Sequence, residues 1–131
     1  EGTGDAIKKA ARWLAAVQNA DGGWGESCAS YVEDHFVAGP STASQTAWAV
    51  IGLLAAGEGY FEQVRKGLEY LIQTQKADGT WDEPIATGTG FPNVFYLQYT
   101  LYRNYFPVLA LGMARKALGG GPVQAPPLLT M

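Results

Sequence analysis

The stretch Lys9-Ala10-Ala11-Arg12-Trp13-Leu14-Ala15-Ala16-Val17-Gln18-Asn19-Ala20-Asp21-Gly22-Gly23-Trp24 decides how this chain is read, because its pattern returns at Lys66-Gly67-Leu68-Glu69-Tyr70-Leu71-Ile72-Gln73-Thr74-Gln75-Lys76-Ala77-Asp78-Gly79-Thr80-Trp81. Both copies run basic, small, two spacers, aromatic, Leu, three spacers, Gln, three spacers, Gly, any residue, Trp. A unit repeated at such an interval belongs to an array whose members bury one another's faces. In each copy the aromatic, the Leu and the residue before the Gln fall at helical spacing (Trp13, Leu14 and Val17; Tyr70, Leu71 and Thr74), which predicts the end of an amphipathic helix. Asp-Gly then turns the chain, with Gly22 and Gly79 free to take the left-handed conformation that ends helices. Gln18 and Gln75 each carry an amide that donates and accepts, while Trp24 and Trp81 offer a flat apolar face and one N–H. A Gln so placed satisfies free backbone groups on a neighbouring helix while lying against the Trp ring. These six residues therefore read as a loop staple. A sugar site built from Trp and Asp is disfavoured, since the motif recurs where one site would suffice.

Outward from the repeats, Asp5 to Gln18 predicts a helix with Ile7, Ala10, Ala11, Leu14 and Val17 on one face. A Gly-, Ser- and Asp-rich loop follows to Pro40. Ser41-Thr42-Ala43-Ser44 then opens a helix to about Ala56, with Ser or Thr as N-cap. It is apolar nearly all round and is expected to be an inner, buried helix. Gly57 to Gly59 breaks it, and Tyr60 to Gln75 predicts a more polar helix outside. The alternation of outer and inner helices predicts an all-α fold, part of an α/α toroid (an α/α6 barrel). Pro107 starts or kinks a last helix to about Leu118, and residues 119–131, with Gly and Pro without period, read as a disordered tail. Residues 1–118 are then one portion of a barrel.

Composition narrows the function. A formal charge of −3 with no basic run excludes a nucleic-acid partner. With 47% hydrophobic and 16% charged residues, some apolar surface is expected to face a cavity, a further segment or a membrane. The apolar run Ala47 to Ala56, interrupted by Gly52, is too short to span a bilayer. One cysteine, Cys28, allows no intrachain disulfide and fits a reducing compartment. The chain begins at Glu1 without Met and enters a helix at once, so it is expected to be a piece of something longer. His35, alone beside Glu33 and Asp34, and Cys28, without a nearby His, read as a loop histidine and a small buried residue. Asp82 and Glu83 read as a solvated pair rather than glycosidase carboxylates. No phosphate loop and no Asp-Asp-x-x-Asp cluster for a magnesium-bound diphosphate is present, and no metal or cofactor is implied.

The two Gln-to-Trp repeats, the segment Pro40-Ser41-Thr42-Ala43-Ser44-Gln45-Thr46-Ala47-Trp48-Ala49, and Gly88-Thr89-Gly90-Phe91-Pro92 followed by Phe95-Tyr96-Leu97 resemble the C-terminal end of bacterial squalene–hopene cyclases over residues 5–118. The resemblance implies two α/α barrels around a cavity where squalene is cyclised to hopene and hopanol, with the enzyme peripheral on the cytoplasmic face of the inner membrane. It implies a starting proton from an Asp-x-Asp-Asp motif, which this chain lacks; its acidic pairs are Glu33-Asp34 and Asp82-Glu83. The chain alone is therefore expected to be inactive. The resemblance further implies that Phe91 and Phe95 stabilise late cations of the cascade, and that Tyr99 and Tyr102, with Tyr96 and Leu97, line or support the cavity. Tyr31 is placed near the catalytic acid's hydrogen-bond network.

Aromatic faces suit that chemistry, because they offer negative quadrupole density without the basicity that would deprotonate a carbocation early. Read without the resemblance, Phe95, Tyr99 and Tyr102 sit at i, i+4 and i+7, an ordinary helical core stripe, and for the tyrosines both readings stand. A non-catalytic toroid module binding protein or lipid, and a sugar-processing α/α barrel, are the competing functions. The inner helix from Ser41 to Ala56 lacks most of a barrel to pack against, so self-association through that face is expected.

Overall fold

A computed structural model describes residues 2–119. Its helices are α1 (Gly2–Ala16), α2 (Ser30–Glu33), α3 (Ala43–Ala56), α4 (Phe61–Thr74) and α5 (Tyr102–Ala117), with a 3-10 turn at Glu58–Tyr60 leading into α4. Two short strands, β1 (Gly88–Phe91) and β2 (Phe95–Leu97), form an antiparallel hairpin between α4 and α5. The fold is thus mostly helical but not all-α. The segment after Trp81 is too rich in Gly and β-favouring aromatics to continue as helix.

α3 is the central element, and α1, α4 and α5 all pack on it. Ala47, Val50 and Leu53 of α3 are fully buried, together with Leu71 and Ala110 from the surrounding helices. Trp48, Ile51 and Leu54 of the same helix stay partly open. The N-terminus of α3 is capped as its sequence predicts: Thr42 is extended and its hydroxyl accepts from the Gln45 backbone N–H. A second cap was not anticipated. Glu83 Oε1 accepts from the Ser44 N–H at 2.8 Å and from the Ser44 hydroxyl at 2.7 Å, leaving Glu83 only 3% exposed. Glu83 is therefore no solvated partner of Asp82 but a buried cap on the N-terminal end of α3.

The two repeats make the same bonds. Trp24 Nε1 donates to Leu14 O and Trp81 Nε1 to Leu71 O, each at 2.8 Å. The Trp24 backbone N–H donates to Thr46 Oγ1 of α3, and that of Trp81 to Asn104 Oδ1 of α5. Gln18 Nε2 reaches Gly22 O at 2.8 Å and Gln75 Nε2 reaches Gly79 O at 3.0 Å. Gly22 (φ 90°) and Gly79 (φ 89°) take the left-handed conformation expected of them. Gln18 also donates to Gln63 O in the first turn of α4, so the staple does join neighbouring helices in the first copy. Each repeat loop thus ties the helix before it to a helix that follows, α1 to α3 in the first copy and α4 to α5 in the second.

Boundaries moved where packing overruled local signals. α1 spans Gly2–Ala16 rather than Asp5 to Gln18, and α5 begins ahead of Pro107, which lies inside it and is buried. Gly119 follows α5 with φ 81°, while the rest of the expected tail, residues 120–131, lies outside the described residues.

Candidate functional site: an aromatic array on a hairpin and two inner helices

The hairpin is built around Phe95. A Cβ added to Gly90 would meet the Phe95 ring at 2.0 Å, so only glycine lets that ring lie against the opposite strand. Phe91 meets Phe95 edge-on with centroids 5.8 Å apart. The register shifts between Thr89 and Phe91, and Thr89 Oγ1 donates to Phe95 O, fixing the twist that brings the two rings together. Phe91 is 64% exposed, and Phe95, Tyr96 and Leu97 are exposed as well. Tyr96 Oη accepts from the Asn93 N–H at the turn, and Leu97 pairs with Gly88. Gln98 Nε2 donates to Glu83 O, anchoring the hairpin to the same residue that caps α3.

The helical stripe Phe95, Tyr99 and Tyr102 does not form: Phe95 is in β2, Tyr99 in irregular chain, and Tyr102 opens α5. Tyr99 and Tyr102 instead stack face to face, centroids 4.7 Å apart. Tyr102 also meets Phe106 at 5.1 Å and Trp48 at 5.8 Å, both edge-on, and Trp48 meets Phe106 at 5.3 Å. Four rings from α3, α5 and the segment between hairpin and helix thus form one cluster. Trp48 and Phe106 were not singled out from sequence. Their only signal was an aromatic on the face of an inner helix, which core packing alone would also produce.

Trp48 further lines a cavity of about 270 Å³ with Trp13, Leu14, Val17 and Phe36, where Trp13 and Phe36 are edge-on at 5.2 Å. A mostly apolar hollow of this size is at the lower end for enclosing a small ligand. Tyr31, on α2 and exposed, lines an adjoining pocket of about 280 Å³ with Cys28 and Ser30, which shares Gln45 and Thr87 with the first. The structure therefore brings Tyr99 and Tyr102 together, pairs Phe91 with Phe95, and keeps Tyr31 apart from both. The loop bearing Tyr31 is held by Gln45, whose amide accepts from the Glu26 N–H at 3.2 Å and donates to Glu26 O at 3.4 Å. Sequence reasoning missed that role. Cys28 Sγ donates to Ala86 O, and burial together with nearby Glu26 pushes its thiol above the ordinary range, which keeps it protonated and a poor nucleophile. His35 is exposed, and its ring Nδ1 lies within hydrogen-bond distance of Glu33 O. Among the described residues no three His, Cys, Asp or Glu side chains gather to hold a metal ion, and no helix is long and apolar enough to cross a membrane.

Residues 2–116, which include every ring of this array, match the family model of the squalene–hopene cyclase C-terminal domain. The chain belongs to that family. It is 56% identical over 111 residues to the squalene–hopene cyclase of Bradyrhizobium diazoefficiens and 53% identical over 112 residues to that of Zymomonas mobilis. Those alignments cover 83% and 84% of this chain but 17% of each relative, so the cyclase-family chain spans about a sixth of the length of the curated proteins it matches. It is also 43% identical over 136 aligned residues to dammaradiene synthase of Dryopteris crassirhizoma, with 92% of the chain covered.

Proposed function

We propose that this chain is the C-terminal part of the catalytic α/α barrel of a squalene–hopene cyclase and supplies aromatic faces to the cavity in which squalene is cyclised to hopene and hopanol. The observation that carries the reading is the array itself, in a chain more than half identical to named squalene–hopene cyclases. Large apolar rings left open on a hairpin are out of place on a surface facing water and in place on a wall facing hydrocarbon. Phe91 and Phe95 present their rings as a pair, and Tyr99, Tyr102, Trp48 and Phe106 buttress one another. A cation passing such faces is stabilised by roughly 1–2 kcal/mol per desolvated contact, and the rings need no reorganisation when charge develops. Tyr96 and Leu97 complete the hairpin wall.

The chemistry on this reading is a polycyclisation opened by proton addition to a terminal alkene and closed by proton loss or water capture, so the product is an isomer of squalene or its hydrate. The donor is an Asp-x-Asp-Asp carboxylic acid, which this sequence does not contain, and the chain by itself is inactive. Tyr31 reaches that acid's network from the pocket beside Gln45. The intact enzyme draws its apolar substrate from a membrane, as a peripheral protein on the cytoplasmic face of the bacterial inner membrane. The test is a Phe95→Ala substitution in the full-length enzyme. Products released with fewer rings support the cavity role; an unchanged product profile with lowered thermal stability overturns it.

A further inference from the structure

The hairpin that carries Phe91 and Phe95 is tied at both ends to one residue. Glu83 precedes β1 in the chain, and Gln98, the first residue after β2, donates from Nε2 to the Glu83 carbonyl. Glu83 itself has little freedom. Just ahead of it, Trp81 is 2% exposed, with its ring N–H donating to Leu71 O and its backbone N–H to Asn104 Oδ1. The Glu83 side chain then turns inward, 3% exposed, and Oε1 accepts from both the N–H and the hydroxyl of Ser44, which is 0% exposed. The carboxyl and Ser44 are closed from solvent whatever further chain surrounds them.

A buried carboxyl is a costly way to cap a helix. Thr42 already caps α3 through the Gln45 N–H, and among the described residues no cation forms an ion pair with Glu83. What Glu83 adds to a second cap is a fixed distance between the start of α3 and the base of the hairpin. Trp48 stands one turn on from Ser44. It packs edge-on against Tyr102 and Phe106, and Tyr102 stacks on Tyr99. Glu83 therefore joins the two halves of the aromatic array, the pair on the hairpin and the cluster on the helices. Other ties on the hairpin are weaker. Cys28 Sγ donates to Ala86 O at 3.2 Å, and a thiol is a poor donor. A Cβ built on Gly88 would lie 3.6 Å from the Tyr99 ring, an ordinary van der Waals approach that fixes no direction.

We infer that Glu83 is a positioning residue for the cyclisation, a role that rests on the cavity reading proposed above. Its side chain and its carbonyl together set where the Phe91–Phe95 pair stands relative to Trp48, Tyr99, Tyr102 and Phe106. Glu83 acts through these rings and not on the substrate, and its effect is on which products leave the cavity.

Variants of the full-length enzyme test it, with products resolved by gas chromatography below every variant's thermal transition and hydrogen–deuterium exchange read over residues 88–97. Glu83→Asp keeps the carboxyl but retracts it by up to about 1.5 Å, the length of one C–C bond. Since a misplacement near 1 Å can cost roughly a hundredfold in rate, the ratio of incompletely to fully cyclised products is expected to rise by roughly tenfold or more. Gln98→Ala cuts the carbonyl tether while leaving the cap of α3 in place, and should shift the ratio in the same direction even if Glu83→Asp fails to fold. Glu83→Gln keeps an acceptor oxygen at full reach and should give products near the parent's. The hairpin should exchange faster in Glu83→Asp and Gln98→Ala than in the parent or Glu83→Gln. Phe95→Ala in the same assay separates the two readings. If it alters the products while Glu83→Asp and Gln98→Ala lower only stability or total turnover, the positioning role is overturned and the cavity reading stands. Altered products with unchanged hairpin exchange also overturn the positioning role. If Phe95→Ala leaves the products unchanged, the cavity reading falls and the positioning role with it.

Discussion

Glu83 shows how far one residue's setting departs from its neighbours in sequence. Next to exposed Asp82, it is buried because its carboxylate satisfies two donors of Ser44 at the start of α3 while its own carbonyl accepts from Gln98. Glu83→Ala strands the Ser44 N–H and is expected to lower unfolding free energy by about 2–3 kcal/mol, while Glu83→Gln, which keeps an acceptor oxygen, loses less. Urea titration of the two variants separates the outcomes. Asp78 behaves differently, being fully exposed. The Thr80 hydroxyl and N–H hold its carboxyl below the ordinary range, with Lys76 adding to the effect. A carboxyl lowered in the folded state adds stability above its unfolded pKa and loses it as pH falls through the lower folded value. The stability gap between the parent chain and Asp78→Ala is therefore expected to be constant near neutrality and to narrow in acid, as read from denaturation at a series of pH values.

At the scale of elements, the repeats act as clamps whose strength depends on what lies across them. Ala at Gly22 and at Gly79 faces nearly the same left-handed cost, of order 1 kcal/mol. Only at Gly22 does the new methyl also run into α4 backbone. Gly22→Ala is expected to destabilise the chain clearly more than Gly79→Ala in parallel thermal melts; equal losses would mean that the first repeat does not clamp α4. Gly67→Ala drives a methyl between Val50 and Trp24 and is expected to cost about 1–3 kcal/mol through overpacking. The hairpin is a weaker element. Two strands without a third are marginal alone, so its order rests on the Phe91–Phe95 pair and on the tether from Gln98 to Glu83. Glu83 thereby links the cap of the inner helix to the position of the candidate cavity wall.

At the scale of the whole molecule, α1, α4 and α5 pack around α3, with a cavity of about 270 Å³ beside Trp13 and Trp48. On the proposed reading the substrate needs more wall than these helices supply, so the test belongs in a full-length protein. In that protein, Trp48→Ala removes the ring shared by the cavity and the Tyr102–Phe106 cluster. If the cluster only buttresses Phe91 and Phe95, yield falls while the product mixture keeps its composition. If Trp48 itself faces the cascade, gas chromatography of the products shows new, less cyclised species.

The sequence by itself determined the parts that depend on local chemistry. Spacing marked the amphipathic outer helices, Asp-Gly marked the left-handed turns at Gly22 and Gly79, Thr42 marked a cap, and the repeat together with the Gly88–Leu97 block pointed to the cyclase family. Each of these is written within a few residues, because a helix turn, a tight turn or a cap is satisfied by its own neighbours. The tertiary structure alone decided the rest. It turned the Phe95 stripe into a hairpin, since a ring can lie over Gly90 only if the chain folds back on itself. It made Glu83 a buried cap and joined Trp48 and Phe106 to the tyrosines. Those outcomes bring together residues far apart in the chain, and which side chain covers which surface is fixed by packing that no local spacing records.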